Sequence, residues 1–206
     1  MNINGRKLTL ARVKNFAWGG VKRVISYVLN KPRFKKYFFS DVINNPILLT
    51  PQFIELGENV LIGYHARIEG VTNWLGKTFT PTIKFESGAS AQQNLHLTCA
   101  NSVIIGKNTA IAANVTITDI HHPYIDVNVP IEQQMIEVKE VVVGEDCKIY
   151  NNAVILPGVH IGKHVTIGAN SVVTKDIPDY CVVAGSPSKI IRKYDFLSNS
   201  WIKVYE

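Results

Sequence analysis

Cysteine is scarce in this 206-residue chain: Cys99, Cys147 and Cys181 stand far apart and form no paired C-x-x-C pattern. That spacing excludes a disulfide framework and a cysteine metal cluster, and leaves three small, buried, apolar side chains in a reducing compartment. Long apolar runs are also missing. None reaches the roughly 18 to 20 residues that span a bilayer, and the basic N-terminus lacks the apolar segment and cleavage site of a signal peptide. A cytoplasmic location is expected. Acids are absent before Asp41, whereas ten of the 22 Lys and Arg residues precede it. From Asp41 onward 12 bases face 16 acids, so the net charge of +6 belongs to the leader and the main body is mildly acidic. A nucleic-acid partner is therefore not expected.

The leader, residues 1–45, carries Leu10, Val13, Ala17, Val21, Val24 and Val28 at helical spacing with bases on the other faces. Two partners suit such a helix. Its apolar stripe packs on the main domain or a neighbouring subunit, or it lies on an anionic membrane surface as a peripheral contact.

What is abundant is a six-residue rhythm. From Val143 the chain divides into "VGEDCK", "IYNNAV", "ILPGVH", "IGKHVT", "IGANSV" and "VTKDIP", each opening with Val or Ile. Looser copies precede them at 56–67, 85–102 and 105–116. A period of six is neither helical nor a long alternating strand, so the backbone must run extended for about five residues and then turn a corner. Three such edges close one triangular coil, with Val143 stacking on Ile161 and Ile149 on Ile167. The expected fold is an all-β solenoid, a parallel β-helix over residues 46–185 followed by a tail at 186–206. Each coil buries its aliphatic row only against its neighbours.

The tracts "IAANVTITDIHHP", "VILPGVHIGKHVTIGANSVVTKDIP" and "VVAGSPSKIIR" resemble the hexapeptide-repeat acyltransferases, closest to their galactoside, maltose and polysaccharide O-acetyltransferase branch. The resemblance implies left-handed coils, a homotrimer, and transfer of an acetyl group from acetyl-CoA, as co-substrate, to a hydroxyl or amine. It implies no permanently bound cofactor and no metal.

Between Ile117 and Val141 no hexapeptide fits, so residues 118–140 must leave the coil as a loop. A loop held at its base by a rigid scaffold is a usual place for function. Acetyl transfer needs a base to take the acceptor proton, and an imidazole with a pKa of about 6.5 serves at neutral pH. The family's catalytic histidine precedes a proline at the start of this loop, which maps it onto His122, followed by Pro123. His121 is the adjacent alternative or a supporting residue, and Asp119 and Asp126 are the carboxylates near enough in sequence to orient the imidazole. His96, in "QNLHLTCAN", lies where the family lines its acceptor pocket, with Asn94 and Asn101 beside it. His65, His160 and His164 fall at turn or outward positions without metal-ligand spacing.

By the same resemblance, the pantetheine arm of CoA runs past Gly144, Asn152, Gly168 and Ala169, and Thr174, Lys175, Lys189 and Arg192 meet its phosphates and adenine. Two departures matter. The family's "NVWIG" aromatic is replaced by "DCKIY", and an acid that the sugar enzymes use for their acceptor appears as Ala100. The acceptor expected is thus not a simple galactoside or maltose but a hydroxyl of a surface-polysaccharide sugar, including a lipid-linked saccharide at the inner face of the membrane. The competing readings are an amino-sugar nucleotide or xenobiotic acceptor and, from another class, a non-catalytic scaffold.

Overall fold

A computed structural model of the chain describes residues 20–21 and 23–204, together with the backbone of residues 2–3 and 6–7. Leu10, Val13 and Ala17 lie outside the described residues.

Short parallel strands stack into three faces of a left-handed β-helix. The first face carries Ile54–Leu56, Thr82–Phe85, Ser102–Ile105, Val141–Val143 and His160–Ile161. The second runs from Val42–Ile43 through Leu61–Ile62, Ser90–Ala91, Ala110–Ile111, Lys148–Ile149 and Thr166–Ile167 to Cys181–Ala184. The third holds Leu48–Leu49, Arg67–Gly70, His96–Cys99, Thr116–Thr118, Val154–Ile155 and Val172–Val173.

The expected stacking is present. Val143 pairs with Ile161 and Ile149 with Ile167. Both the first and the fifth positions of the repeats point inward, so Cys147, Ala153, Val159, Val165, Ser171 and Ile177 are buried with the aliphatic rows. A fully buried Ile or Val side chain contributes roughly 1.5 to 3 kcal/mol. The corners fall on the fourth position, where Asn59, Asn94, Asn108, Asn114, Asp146, Asn152 and Asn170 adopt positive φ. Asn and Asp tolerate that left-handed backbone best after glycine, which explains their recurrence. His65 and His164 occupy the same corner position, in keeping with turn roles.

Two boundaries differ from the sequence expectation. The solenoid begins at Val42 rather than 46, because residues before the first full repeat already pair in register: Val42 with Leu61 and Ile43 with Ile62. Residues 186–206 are more than a tail, since Lys189–Asp195 and Ser200–Lys203 fold back antiparallel onto the second face and extend it. The helix that ends at Asn30 leaves Val21, Val24 and Val28 exposed, with Ile25 and Leu29 beside them. The described part of its stripe therefore does not pack on the described part of its own domain. The contact instead comes from Tyr27, against the core, and from Ser26, whose hydroxyl lies 2.8 Å from the Tyr37 hydroxyl. Phe34 and Tyr37 close this end of the core. The three cysteines are buried and free, as expected.

Candidate active site

Two insertions leave the prism at the same edge, where the third face turns into the first. One is the hairpin of Asn73–Trp74 and Lys77–Thr78, closed by Leu75 and Gly76, both at positive φ. The other is the loop after Thr118, in which Ile120–His121 pairs antiparallel with Glu137–Val138. The coil between them makes a tight corner at Ala100 and Asn101. The hairpin and the loop meet over that corner, where the Trp74 indole N–H donates to the Gln134 carbonyl oxygen at 3.0 Å.

Beneath this contact lies a cavity of about 500 Å³, bounded on the third face by two ladders of outward side chains. Arg67, His96 and Thr116 are register partners in one row, and Glu69, Thr98 and Thr118 in the next. The Arg67 guanidinium pairs with the Glu69 carboxylate, and the Thr98 hydroxyl donates to that of Thr118 at 2.8 Å. Burial and the neighbouring Arg67 charge lower the His96 pKa, Glu69 pulling weakly the other way, so this imidazole is neutral at pH 7.

His122 lines the cavity beside Trp74, the two rings meeting edge to face with centroids 5.0 Å apart. Its Nδ1 is buried and has no hydrogen-bond partner, while the Glu132 carboxylate stands 3.9 Å away. Glu132 belongs to the short turn Ile131–Gln133, which Gln134 stitches to the loop by donating to the carbonyl oxygens of Asp126 and Val129 at 2.9 Å each. An imidazole that lines a cavity and has a carboxylate near its buried nitrogen is suited to accept and pass on a proton at the other nitrogen.

Both carboxylates expected to orient His122 do other work. Asp119 is fully buried and accepts the amide N–H groups of Ala100, Asn101 and Ser102 at 2.7 to 2.8 Å, with the Cys99 thiol also donating to it at 3.3 Å. It caps the tight corner beneath the loop. Burial, reinforced by the Asp119 charge, pushes the Cys99 thiol well above its ordinary value. Asp126 accepts from the Asn128 amide at 2.9 Å and shapes an exposed turn. Glu132, which sequence proximity did not single out, is the carboxylate that faces the imidazole. His121 turns its ring to Tyr124, at 6.0 Å, and does not line the cavity.

Of the three residues expected at the acceptor, His96 alone lines the cavity. Asn94 belongs to a corner ladder in which its side-chain amide donates to Asn114, Asn114 to Asn152 and Asn152 to Asn170, at 2.8 to 3.1 Å. Asn101 sits in the corner that Asp119 caps. Several residues expected at CoA are likewise committed to stacking. Gly144 donates to Ile161 and Gly168 to Val183, each at 2.8 Å, and Asn152 is held in the ladder. A Cβ on Gly144 would stand 2.6 Å from the Gly162 backbone, so close coil stacking explains this glycine. Ala169, Thr174 and Lys175 are exposed at corners, and Lys189 and Arg192 lie on the strand appended to the second face. One chain thus spreads six of these residues over all three edges and two over the second face, and does not gather them. Sequence reasoning missed Arg67, Glu69, Trp74 and Glu132. For Trp74 a signal was available, since "NWLGKT" is a two-residue hairpin turn with glycine.

Residues 140–175 match the family model described as bacterial transferase hexapeptide (six repeats). The chain is 34% identical over 157 residues to WbbJ of Escherichia coli (strain K12), named for O-acetyl transfer in lipopolysaccharide biosynthesis, covering 73% of this chain and 76% of that one. It is also 34% identical over 160 residues to a galactoside O-acetyltransferase of Lactococcus lactis, covering 77% and 70%. Among solved structures, a mutant of AntD, an N-acyltransferase from Bacillus cereus in complex with dTDP and coenzyme A, superposes with a TM-score of 0.65 at 18% identity, over 80% of this chain and 86% of that one.

Proposed function

We propose, from the premise that this chain belongs to the hexapeptide-repeat acetyltransferases, that it moves the acetyl group of acetyl-CoA to a hydroxyl of a sugar used in surface-polysaccharide assembly. The observation that carries this reading is His122, an imidazole lining the cavity with a buried, unpartnered Nδ1 facing Glu132. The relative named for lipopolysaccharide biosynthesis supports the substrate class.

The reaction proceeds within a ternary complex. His122 takes the hydroxyl proton as the acceptor oxygen attacks the thioester carbonyl. The tetrahedral oxyanion collapses, the carbon–sulfur bond breaks, and the departing thiolate receives the proton held by the imidazolium, so the histidine returns to its starting state. Glu132 holds the imidazolium while it exists. Polarity along the third face suits this order: the ladder of Arg67, His96 and Thr116 continues in register as Val154 and Val172. The polar coils receive the acceptor and the apolar coils receive the acyl end of the CoA arm.

The chain acts as a homotrimer, in which CoA-binding residues scattered over different edges of one prism meet across a groove between two subunits. The acceptor is lipid-linked at the cytoplasmic face of a membrane, where the exposed stripe of Val21, Val24 and Val28, flanked by Arg23 and Lys31, lies on the bilayer surface. Among the described residues no helix is long and apolar enough to cross it.

Release of CoA thiol with a panel of saccharides tests the reading. His122→Ala is expected to lose at least about 100-fold in turnover, the scale of a missing general base, with its melting temperature preserved. Undiminished turnover in that variant would remove His122 from the chemistry.

A further inference from the structure

The cavity beside His122 mixes its chemistry in a way that bears on the acceptor. One wall is the Trp74 ring, with Val71, Ile120 and Ile136 around it. The floor is the two polar ladders of the third face. We propose that the acceptor unit is an uncharged pyranose in glycosidic linkage, which lays its apolar ring face on Trp74 and its hydroxyls on the Arg67–Glu69 pair. Sugars attached to a nucleoside diphosphate are then poor acceptors. The proposal rests on the acetyl-transfer reading above and narrows it to one class of sugar.

Trp74 is fixed on two sides. A two-residue hairpin sets its backbone, and the bond from its indole N–H to Gln134 sets its ring. A held indole presents an electron-rich face, and the C–H groups on one side of a pyranose carry the complementary partial charge. Arg67 and Glu69, locked by their mutual pairing, offer planar donors and a planar acceptor side by side, which matches adjacent hydroxyls that donate and accept. Thr98, Thr116 and Thr118 add hydroxyls along the same rows. The wall and the floor are at right chemical odds, apolar against polar, as a sugar ring and its rim are.

Charge balance sets the limit on class. Among the described residues Arg67 is the sole Lys or Arg that lines the cavity, and Glu69 offsets it. His96, its register neighbour, is kept neutral, and Glu132 stands behind His122. The groups facing the cavity therefore sum to no net positive charge. A diphosphate brings charges that need several committed cationic donors in a site shielded from water. This lining has none to give without stripping Glu69 of its partner.

The test uses the full chain at saturating acetyl-CoA with paired acceptors: methyl glucoside against UDP-glucose, methyl galactoside against UDP-galactose, and methyl rhamnoside against dTDP-rhamnose. Thiol release is expected to show kcat/KM at least about 10-fold higher for the glycoside in the pair that reacts. Glu69→Gln and Trp74→Ala are each expected to raise the glycoside KM about 10-fold, and Trp74→Phe to recover most of that loss. Stabilisation by CoA in a melting experiment reports that each variant is folded. Preference for the nucleotide-linked partner, or a KM indifferent to both Glu69→Gln and Trp74→Ala, overturns the proposal and leaves acetyl transfer standing. No thiol release by the wild-type chain with either set overturns acetyl transfer to sugars and the proposal with it.

Discussion

The Nδ1 of His122 and the carboxylate of Glu132 stand 3.9 Å apart, too far for a hydrogen bond and near enough to become one with a small shift of the loop. Because the nitrogen is otherwise without a partner, Glu132 is the carboxylate expected to orient the imidazole in the proposed reaction. Glu132→Gln is expected to lower kcat about 10-fold while the KM for acetyl-CoA stays within about 2-fold. Glu132→Asp should restore part of the loss. An unchanged kcat in the Gln variant would show that the imidazole needs no such partner.

Asp119 predicts a stability effect. Its carboxylate satisfies three consecutive amides and a thiol at the corner below the loop. Asp119→Ala leaves those donors buried without acceptors, at a cost of about 3 kcal/mol or more. Urea unfolding monitored by circular dichroism measures it. A cost below about 1 kcal/mol would mean that water replaces the carboxylate.

Gly144 separates stacking from ligand contact. A methyl group there meets the Gly162 backbone at 2.6 Å, where neither coil has side-chain freedom to yield. Gly144→Ala is expected to lose about 2 kcal/mol of stability while the folded enzyme keeps its KM for acetyl-CoA. A raised KM at unchanged stability would return this glycine to the CoA site.

His96 predicts a pH effect on stability. Burial, and then Arg67, lower its pKa in the folded chain, so the unfolded chain binds a proton more readily. Its contribution is complete above the ordinary value of 6.5 and is lost as pH falls from there toward the depressed folded value. Melting curves should show a decline over that window, shallower in His96→Gln. Equal slopes in the two proteins would assign the decline to other groups.

The repeat was legible because its signal is local and many times repeated. An aliphatic residue at every sixth position and a corner-forming Asn three residues later say the same thing in each unit, and the stacking of Val143 on Ile161 follows from counting. The loop histidine was legible for the opposite reason, as the place where counting fails. The partners of that histidine were not. Glu132 is ten residues from His122, and Trp74 far earlier, and no spacing rule relates them. They meet because two insertions leave the prism at the same edge, a fact of coil stacking rather than of sequence distance. Asp119 and Asn94 misled in the same way: proximity in sequence favoured them, and the backbone amides of a corner and an asparagine ladder claimed them instead.

By itself the sequence determined the solenoid, its inward rows, its polar corners and the point at which a histidine-bearing loop departs, since each depends on side-chain size and backbone tolerance within a few residues. Only the tertiary structure decided what surrounds that histidine. A β-helix brings residues 20 or more apart into register on one face, so the row of Arg67, His96 and Thr116 and the pairing of Trp74 with the loop exist only once the coils are stacked.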